Sequence, residues 1–291
     1  MKILVTGVSG QLGSEVVERF RQLGHAVVAA DRRMLDLLQP GQAAAVIGAQ
    51  QPDWVINCAA YTQVDKAESE PEQAFIINRD TPAQLARAVA AYGGRLLQLS
   101  TDFVFDGTQT RPYVEDDATN PLGVYGRSKL EGEQAVQREL PEAVILRTAW
   151  VYGVHGHNFV KTMLRLAIAG KPLRVVSDQR GSPTWTSDIV AAIVALVDQQ
   201  ASGVFHFTAA GETSWHGFAS AILEEAASAG FTIKTNNVEP IATSEYPTPA
   251  TRPAYSVLNT DKISACLPFT IPAWRDSLTN MLQEYATCAD C

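Results

Sequence analysis

Near its start the chain runs from a β-branched stretch, Lys2–Thr6, directly into Gly7-Val8-Ser9-Gly10-Gln11-Leu12-Gly13 and then into a helical pattern. Glycines so spaced between a strand and a helix permit a tight turn, let the backbone approach a pyrophosphate, and allow the helix to pack closely on the strand. The helix N-terminus behind them offers unpaired N–H groups and a positive dipole end to phosphates. The opening therefore predicts the first unit of a parallel sheet built to hold a dinucleotide.

The next 130 residues continue that pattern. Segments 26–31, 54–59, 96–100 and 144–147 read as continuous apolar strands, separated by amphipathic segments such as 11–23 and 72–92. Parallel neighbours need crossover connections, so this alternation predicts an α/β, doubly wound parallel sheet of Rossmann-like type. Beyond residue 152 the pattern loosens. Segments 158–170, 187–199 and 214–229 look helical, Leu173–Val176 looks like a short strand, and 240–253, rich in Pro and Thr, should be irregular. The expected organisation is a dinucleotide-binding domain over 1–152, with parts of 184–210 returning to it, and a smaller C-terminal α/β substrate lobe over 153–291.

With 31 acidic against 23 basic residues, the net charge of −8 argues against a nucleic-acid-binding face. No apolar run approaches the roughly 20 residues of a membrane helix. The N-terminus does not read as a secretion signal, and four cysteines without framework spacing suit a reducing cytoplasm. Cys288 and Cys291 stand in C-x-x-C spacing but lack a second ligand pair, and read as a plain tail.

Asp31 closes the second strand, where a carboxylate would hold the adenosine ribose of NADH. Arg32 and Arg33 follow, and a guanidinium there would instead hold the 2′-phosphate of NADPH. Both cofactors stay open, and Asp36 and Leu37 would lie beside the adenine. Tyr125 and Lys129 are four residues apart in a helical segment and so share a face. Reducing a ketone by hydride transfer needs an acid at the carbonyl oxygen. A lysine cation would pull the phenol pKa down from near 10 towards that task. Ser100 or Thr101, at the carboxyl end of the fourth strand, would supply a third hydroxyl.

The Gly7–Gly13 turn, the NCAAYTQVDKAE stretch at 57–68 and the Tyr125/Lys129 pair resemble the extended short-chain dehydrogenase/reductases. More narrowly, STDFVFDG at 100–107, RTAWVYG at 147–153, GHNF at 156–159 and DQRGSPT at 178–184 resemble the dTDP-4-dehydrorhamnose reductases. The resemblance implies reduction of a 4-keto dTDP-sugar by NADPH or NADH, with Tyr125 as proton donor, Thr101 at the carbonyl, and Lys129 on the nicotinamide ribose. It implies a cofactor wall of Gly7, Gly10, Gln11, Leu12, Gly13, Asp31, Arg32, Asp36, Leu37, Ala60, Tyr61 and Thr62. It places Thr101, Asp102 and Trp150 on the sugar nucleotide. Related dehydratases carry Asp-Glu after the threonine; Phe103 follows Asp102 here, which favours simple reduction. A nucleotide-sugar epimerase and a non-catalytic NADP-binding regulatory subunit remain as alternatives, and a homodimer is left open.

Other residues have plainer readings beside tempting ones. His155 and His157 lack a completing ligand set and read as loop histidines. Trp185 fits a core as well as a site, and Arg180 and Arg252 fit a diphosphate or a surface salt bridge. In some members of the family a glutamate at the place of Glu15 helps hold a divalent cation between subunits, with Asp188 and Glu284 as the partners here. The helix-surface reading is kept for Glu15, and no metal is assigned.

Overall fold

The computed structural model describes residues 1–39, 41–235 and 237–287; Cys288 and Cys291 lie outside them. Five strands, β1 (Lys2–Thr6), β2 (Ala26–Ala30), β3 (Trp54–Asn57), β4 (Arg95–Thr101) and β5 (Val144–Thr148), join a sixth, Gly203–His206. The order across the sheet is sixth strand, β5, β4, β3, β1, β2, and every pair is parallel. This is the doubly wound sheet that the alternation predicts.

Helices cover both faces, which is why β1, β3 and β5 are almost wholly apolar. On one face Val16, Val17 and Phe20 of the helix Gln11–Gln22 pack with Ile189 and Ile193 of Thr186–Asp198 against Ile3, Val5, Ile56 and Leu146. On the other, Ile47, Leu85, Val89 and Val136 pack against Leu4, Val55, Leu96 and Ile145. A separate core joins the helices Phe159–Ile168, Trp215–Ser228 and Trp274–Thr287 to the parallel strand pair Leu173–Val176 and Val238–Ile241.

The amphipathic segment expected over 72–92 is helical from Pro71 to Ala90, with a wide π turn, Ile76–Asp80, between Pro71–Phe75 and Thr81–Ala90. Pro82 has no N–H for the carbonyl of Asn78, four residues back, so the regular ladder cannot run through. The 240–253 segment is not irregular throughout. Pro240 lies in the strand Val238–Ile241, and the turn Thr243–Glu245 follows; a two-stranded sheet has only edges, where proline is tolerated.

Strand order reverses between β1 and β3, since β2 lies on one side of β1 and β3 on the other. In open sheets of this kind ligands bind in the crevice outside the carboxyl ends at that switch point.

Candidate active site

The carboxyl ends of β1, β3, β4 and β5 open into a cavity of about 1010 Å³. The glycine turn forms its floor. Gly7 has φ +67°, and a Cβ there would lie 2.6 Å from Ala59 N; one on Gly13 would strike Gly7 O. Gly10 N donates to Gly7 O at 2.9 Å, which closes the turn. Both clashes are with backbone, so these glycines let the turn, the helix and the segment after β3 pack closely, leaving the helix N-terminus on the cavity, where its N–H groups suit a pyrophosphate. Gln11 and Leu12 continue the wall.

Asp31 and Arg32 stand exposed on the rim beyond β2. Asp31 Oδ1 accepts from Arg33 N and Met34 N, both at 3.0 Å, so one oxygen is committed to the turn. Asp36 Oδ1 accepts from Leu38 N at 3.1 Å, and Leu37 O accepts from Thr81 Oγ1 at 2.8 Å. These bonds fix the wall beside Ala60, Tyr61 and Thr62, which also line the cavity. Tyr61 is strapped by Asn78: its N–H donates to Asn78 Oδ1 at 2.8 Å, and Asn78 Nδ2 donates to Tyr61 O and Ser128 Oγ, both at 3.0 Å. One buried amide thus joins the cofactor wall to the helix Val124–Glu139.

That helix carries Tyr125 and Lys129 in its first two turns. Glu68 Oε1 accepts from Val124 N at 2.8 Å, satisfying an unpaired donor at the helix start. A Cβ on Gly126 would strike Phe103 O, so the glycine lets the helix sit close to the turn Asp102–Val104 that follows β4. The Phe103 ring meets Tyr125 edge-on, centroids 5.5 Å apart. Burial pushes the Tyr125 phenol up to about 12, the Thr101 hydroxyl easing it down and the Asp102 charge raising it. This corrects the expected direction. Lys129 Nζ donates instead to Leu99 O at 2.5 Å, and at the phenol burial outweighs the Thr101 hydroxyl and favours the protonated form. Burial also brings Lys129 down to about 8, opposed first by Glu133.

Thr101 ends β4 facing the phenol, whereas Ser100 turns its hydroxyl to Glu133. Thr101 Oγ1 donates to Asp102 Oδ1 at 3.0 Å. Burial pushes Asp102 up to about 6 against the Ser256 and Thr101 hydroxyls. Its Oδ2 is buried and, among the described residues, lacks a partner of hydrogen-bonding geometry. Trp150, at φ +47°, stacks on Trp215 with centroids 3.6 Å apart, and both line the cavity.

Arg252 is on the cavity wall, paired with Asp65 at 2.7 Å. Arg180 pairs with Glu212 at 2.6 Å, and Trp185 packs against the second core. His155 and His157 are both exposed, His157 on the edge of the cavity. Thr186 Oγ1 donates to Glu15 Oε1, and Ser277 Oγ donates to Asp188 Oδ2 at 2.6 Å. Among the described residues no group of three or more His, Cys, Asp or Glu is placed to hold a metal ion.

The sequence reading did not single out Asn78, Glu133, Cys58 or Trp215. Only Glu133 carried a signal, as the next step of the four-residue spacing from Tyr125 to Lys129. The others depend on distant segments meeting.

The family model for the RmlD substrate binding domain matches residues 1–287. The chain is 42% identical over 286 residues to a dTDP-4-dehydrorhamnose reductase of Burkholderia thailandensis, covering 94% of this chain and 96% of that protein. A crystal structure of such a reductase from Clostridium acetobutylicum superposes with TM-score 0.92 at 39% identity, over 98% of this chain and 99% of that one. Another, from Bacillus anthracis in complex with NADP, gives TM-score 0.92 at 35% identity, over 97% and 99%. With its glycine cradle, its Thr101–Tyr125–Lys129 corner and these full-length likenesses, the chain belongs to the RmlD substrate-binding-domain family.

Proposed function

We propose that this protein is an NAD(P)H-dependent oxidoreductase that reduces the 4-keto group of dTDP-4-dehydro-6-deoxy-L-mannose (dTDP-4-dehydro-L-rhamnose) to give dTDP-L-rhamnose. The observation that carries the reading is the convergence of Thr101, a protonated Tyr125 and Lys129 on the cavity that begins at the glycine cradle.

The cradle and walls fit a nicotinamide dinucleotide, which when bound supplies the hydride. Gly7, Gly10, Gln11, Leu12 and Gly13 hold the pyrophosphate, and Asp31 and Arg32 meet the adenosine ribose. Asp36 and Leu37 flank the adenine, and Ala60, Tyr61 and Thr62 wall the dinucleotide. Lys129 holds the nicotinamide ribose. Tyr125 Oη delivers a proton to the carbonyl oxygen while the Thr101 hydroxyl turns from Asp102 to donate to the same atom. The phenolate left behind is stabilised by the Lys129 ammonium. Asp102 and Trp150 hold the sugar. In this division of labour residues 1–152, with parts of 184–210, serve the cofactor, and most of 153–291 serves the sugar nucleotide.

Among the described residues no helix is long and apolar enough to cross a membrane. A cytoplasmic setting is part of the proposal, and light scattering in solution decides between a monomer and a homodimer.

The test is oxidation of NADPH and of NADH, followed at the nicotinamide absorbance, with dTDP-4-keto-L-rhamnose generated in situ. Rapid substrate-dependent oxidation supports the reductase and ranks the cofactors. Cofactor binding without oxidation would overturn it in favour of another keto-sugar or a regulatory subunit.

A further inference from the structure

We propose that Glu133 is a positioning residue: one helical turn beyond Lys129, its carboxylate keeps that lysine charged and locks the catalytic helix to the sheet. The inference rests on the reductase reading for the role of Lys129.

Glu133 is 2% exposed and lies four residues after Lys129 and eight after Tyr125, on the same helix face. Its carboxylate is held from two strands at once. Ser100 Oγ on β4 donates to Oε1. Arg147 on β5 donates through Nε to Oε1 at 3.0 Å and through its terminal nitrogen to Oε2 at 2.7 Å. Ser100 and Arg147 are register partners, and Arg147 is in turn the partner of His206 on the sixth strand. His206 completes the row: its Nε2 lies 3.3 Å from the other Arg147 nitrogen and its Nδ1 lies 3.1 Å from Tyr113 O. Burial first, then the Arg147 charge, pushes the imidazole down to about 3, so it is neutral and accepts from the guanidinium. Glu115 caps the group, its carbonyl accepting from Arg147 at 3.3 Å and its carboxylate accepting from His206 N at 3.0 Å. The Phe105 ring lies 5.3 Å from the guanidinium carbon.

Such an assembly is poorly explained by stability, because a buried ion pair is often replaceable by apolar side chains at little cost. Its location suggests the reason. Lys129 is 4% exposed, and burial drives it towards the neutral amine, which could neither stabilise a phenolate nor donate fully to a ribose. Its ammonium donates to the Leu99 carbonyl of β4, and the groups acting on it electrostatically are Glu133 of its own helix and the Cys58 thiol of the segment after β3. Burial pushes the thiol up to about 12, so it is uncharged at neutral pH. With the thiol uncharged, the Glu133 carboxylate is the charge that favours the ammonium. Bidentate anchoring keeps that carboxylate at a fixed distance.

The test is the pH profile of kcat/KM, with NADPH binding titrated by fluorescence over the same range. In the wild type both should fall as pH rises through about 8. In Glu133→Gln the alkaline limb should move down by about one pH unit, a tenfold change in the lysine ionisation constant, and Glu133→Asp should move it back. The Glu133→Leu/Arg147→Leu double variant removes both buried charges and avoids leaving the guanidinium unpaired; its limb should also move down. A limb that stays in place in the folded variants while kcat falls uniformly overturns the proposal. If the sugar nucleotide is not turned over at any pH, the binding limb still reports on Lys129: a moved limb supports the role of Glu133 while the substrate assignment fails.

Discussion

Asp65 and Arg252 grip each other at the mouth of the cavity, 187 residues apart in sequence, with Oδ1 at 3.0 Å and Oδ2 at 2.7 Å from the two guanidinium nitrogens. Asp65 lies in the helical turn Val64–Ala67 after β3, and Arg252 in the C-terminal segment. The same guanidinium donates to Thr248 Oγ1 and Ala250 O, at 2.6 and 3.1 Å, so it also folds its own loop. The pair is partly exposed and adds little to stability; its effect is on where the loop sits. Arg252→Ala should raise KM for the sugar nucleotide about tenfold, with kcat within about threefold. Steady-state kinetics with NADPH saturating will measure this split, and an unchanged KM would remove Arg252 from the site.

Tyr125→Phe takes away one oxygen and leaves the ring against Phe103. Turnover should drop by about 10²–10⁴-fold, the usual worth of a positioned acid. NADPH binding, read by fluorescence, should persist. Near-normal turnover would mean that the proton comes from elsewhere.

The glycine turn should show a graded response. A Cβ on Gly13 strikes the Gly7 carbonyl, whereas one on Gly10 only approaches it, at 3.2 Å. Gly13→Ala should therefore cost about 1–3 kcal/mol of stability and weaken cofactor binding, with Gly10→Ala milder on both counts. Chemical denaturation and cofactor titration of the two variants test the order.

Glu15 is pushed up from 4.5 to about 7, mainly by burial and then by the charges of Glu284, Glu18 and Asp188, with the Thr186 hydroxyl pulling the other way. The folded state therefore binds this proton more tightly than the unfolded chain. Stability present below about pH 4.5 is lost as pH rises through about 7. Glu15→Gln retains an acceptor for Thr186 and cannot ionise. Its Tm should exceed the wild type's by a few degrees at pH 8 and match it at pH 4. A gain independent of pH would show that the carboxyl's ionisation is not the cause.

How much of this was legible in the sequence depends on how locally each feature is encoded. β1, β3 and β5 were readable because burial on both faces leaves an unbroken apolar run. The glycine turn was readable because its constraint is steric and sits within seven residues. Tyr125 and Lys129 were recognisable as a pair by helical spacing, but not the direction in which the phenol is shifted, since that depends on Phe103 and Asp102 packing around it. The strand Gly203–His206 was missed because four residues that begin with a glycine and end with a histidine carry little pattern. Trp215 stacks on Trp150 from 65 residues away, and no spacing rule connects them. Asn78 reads as one more polar residue in an amphipathic segment until Tyr61 and Ser128 close on its amide.

The π turn at Ile76–Asp80 has a consequence for how chains of this fold can diverge. A π turn amounts to one extra residue in an α-helical ladder, and each residue turns a helix by about 100°. Deleting a single position there would appear trivial in length. It would nevertheless rotate the Asn78 amide away from either Tyr61 or Ser128, or turn Leu85 and Val89 off the sheet. Insertions and deletions in this stretch are thus effectively quantised, and a lineage can discard the extra residue only by redesigning the contact between its cofactor wall and its catalytic helix.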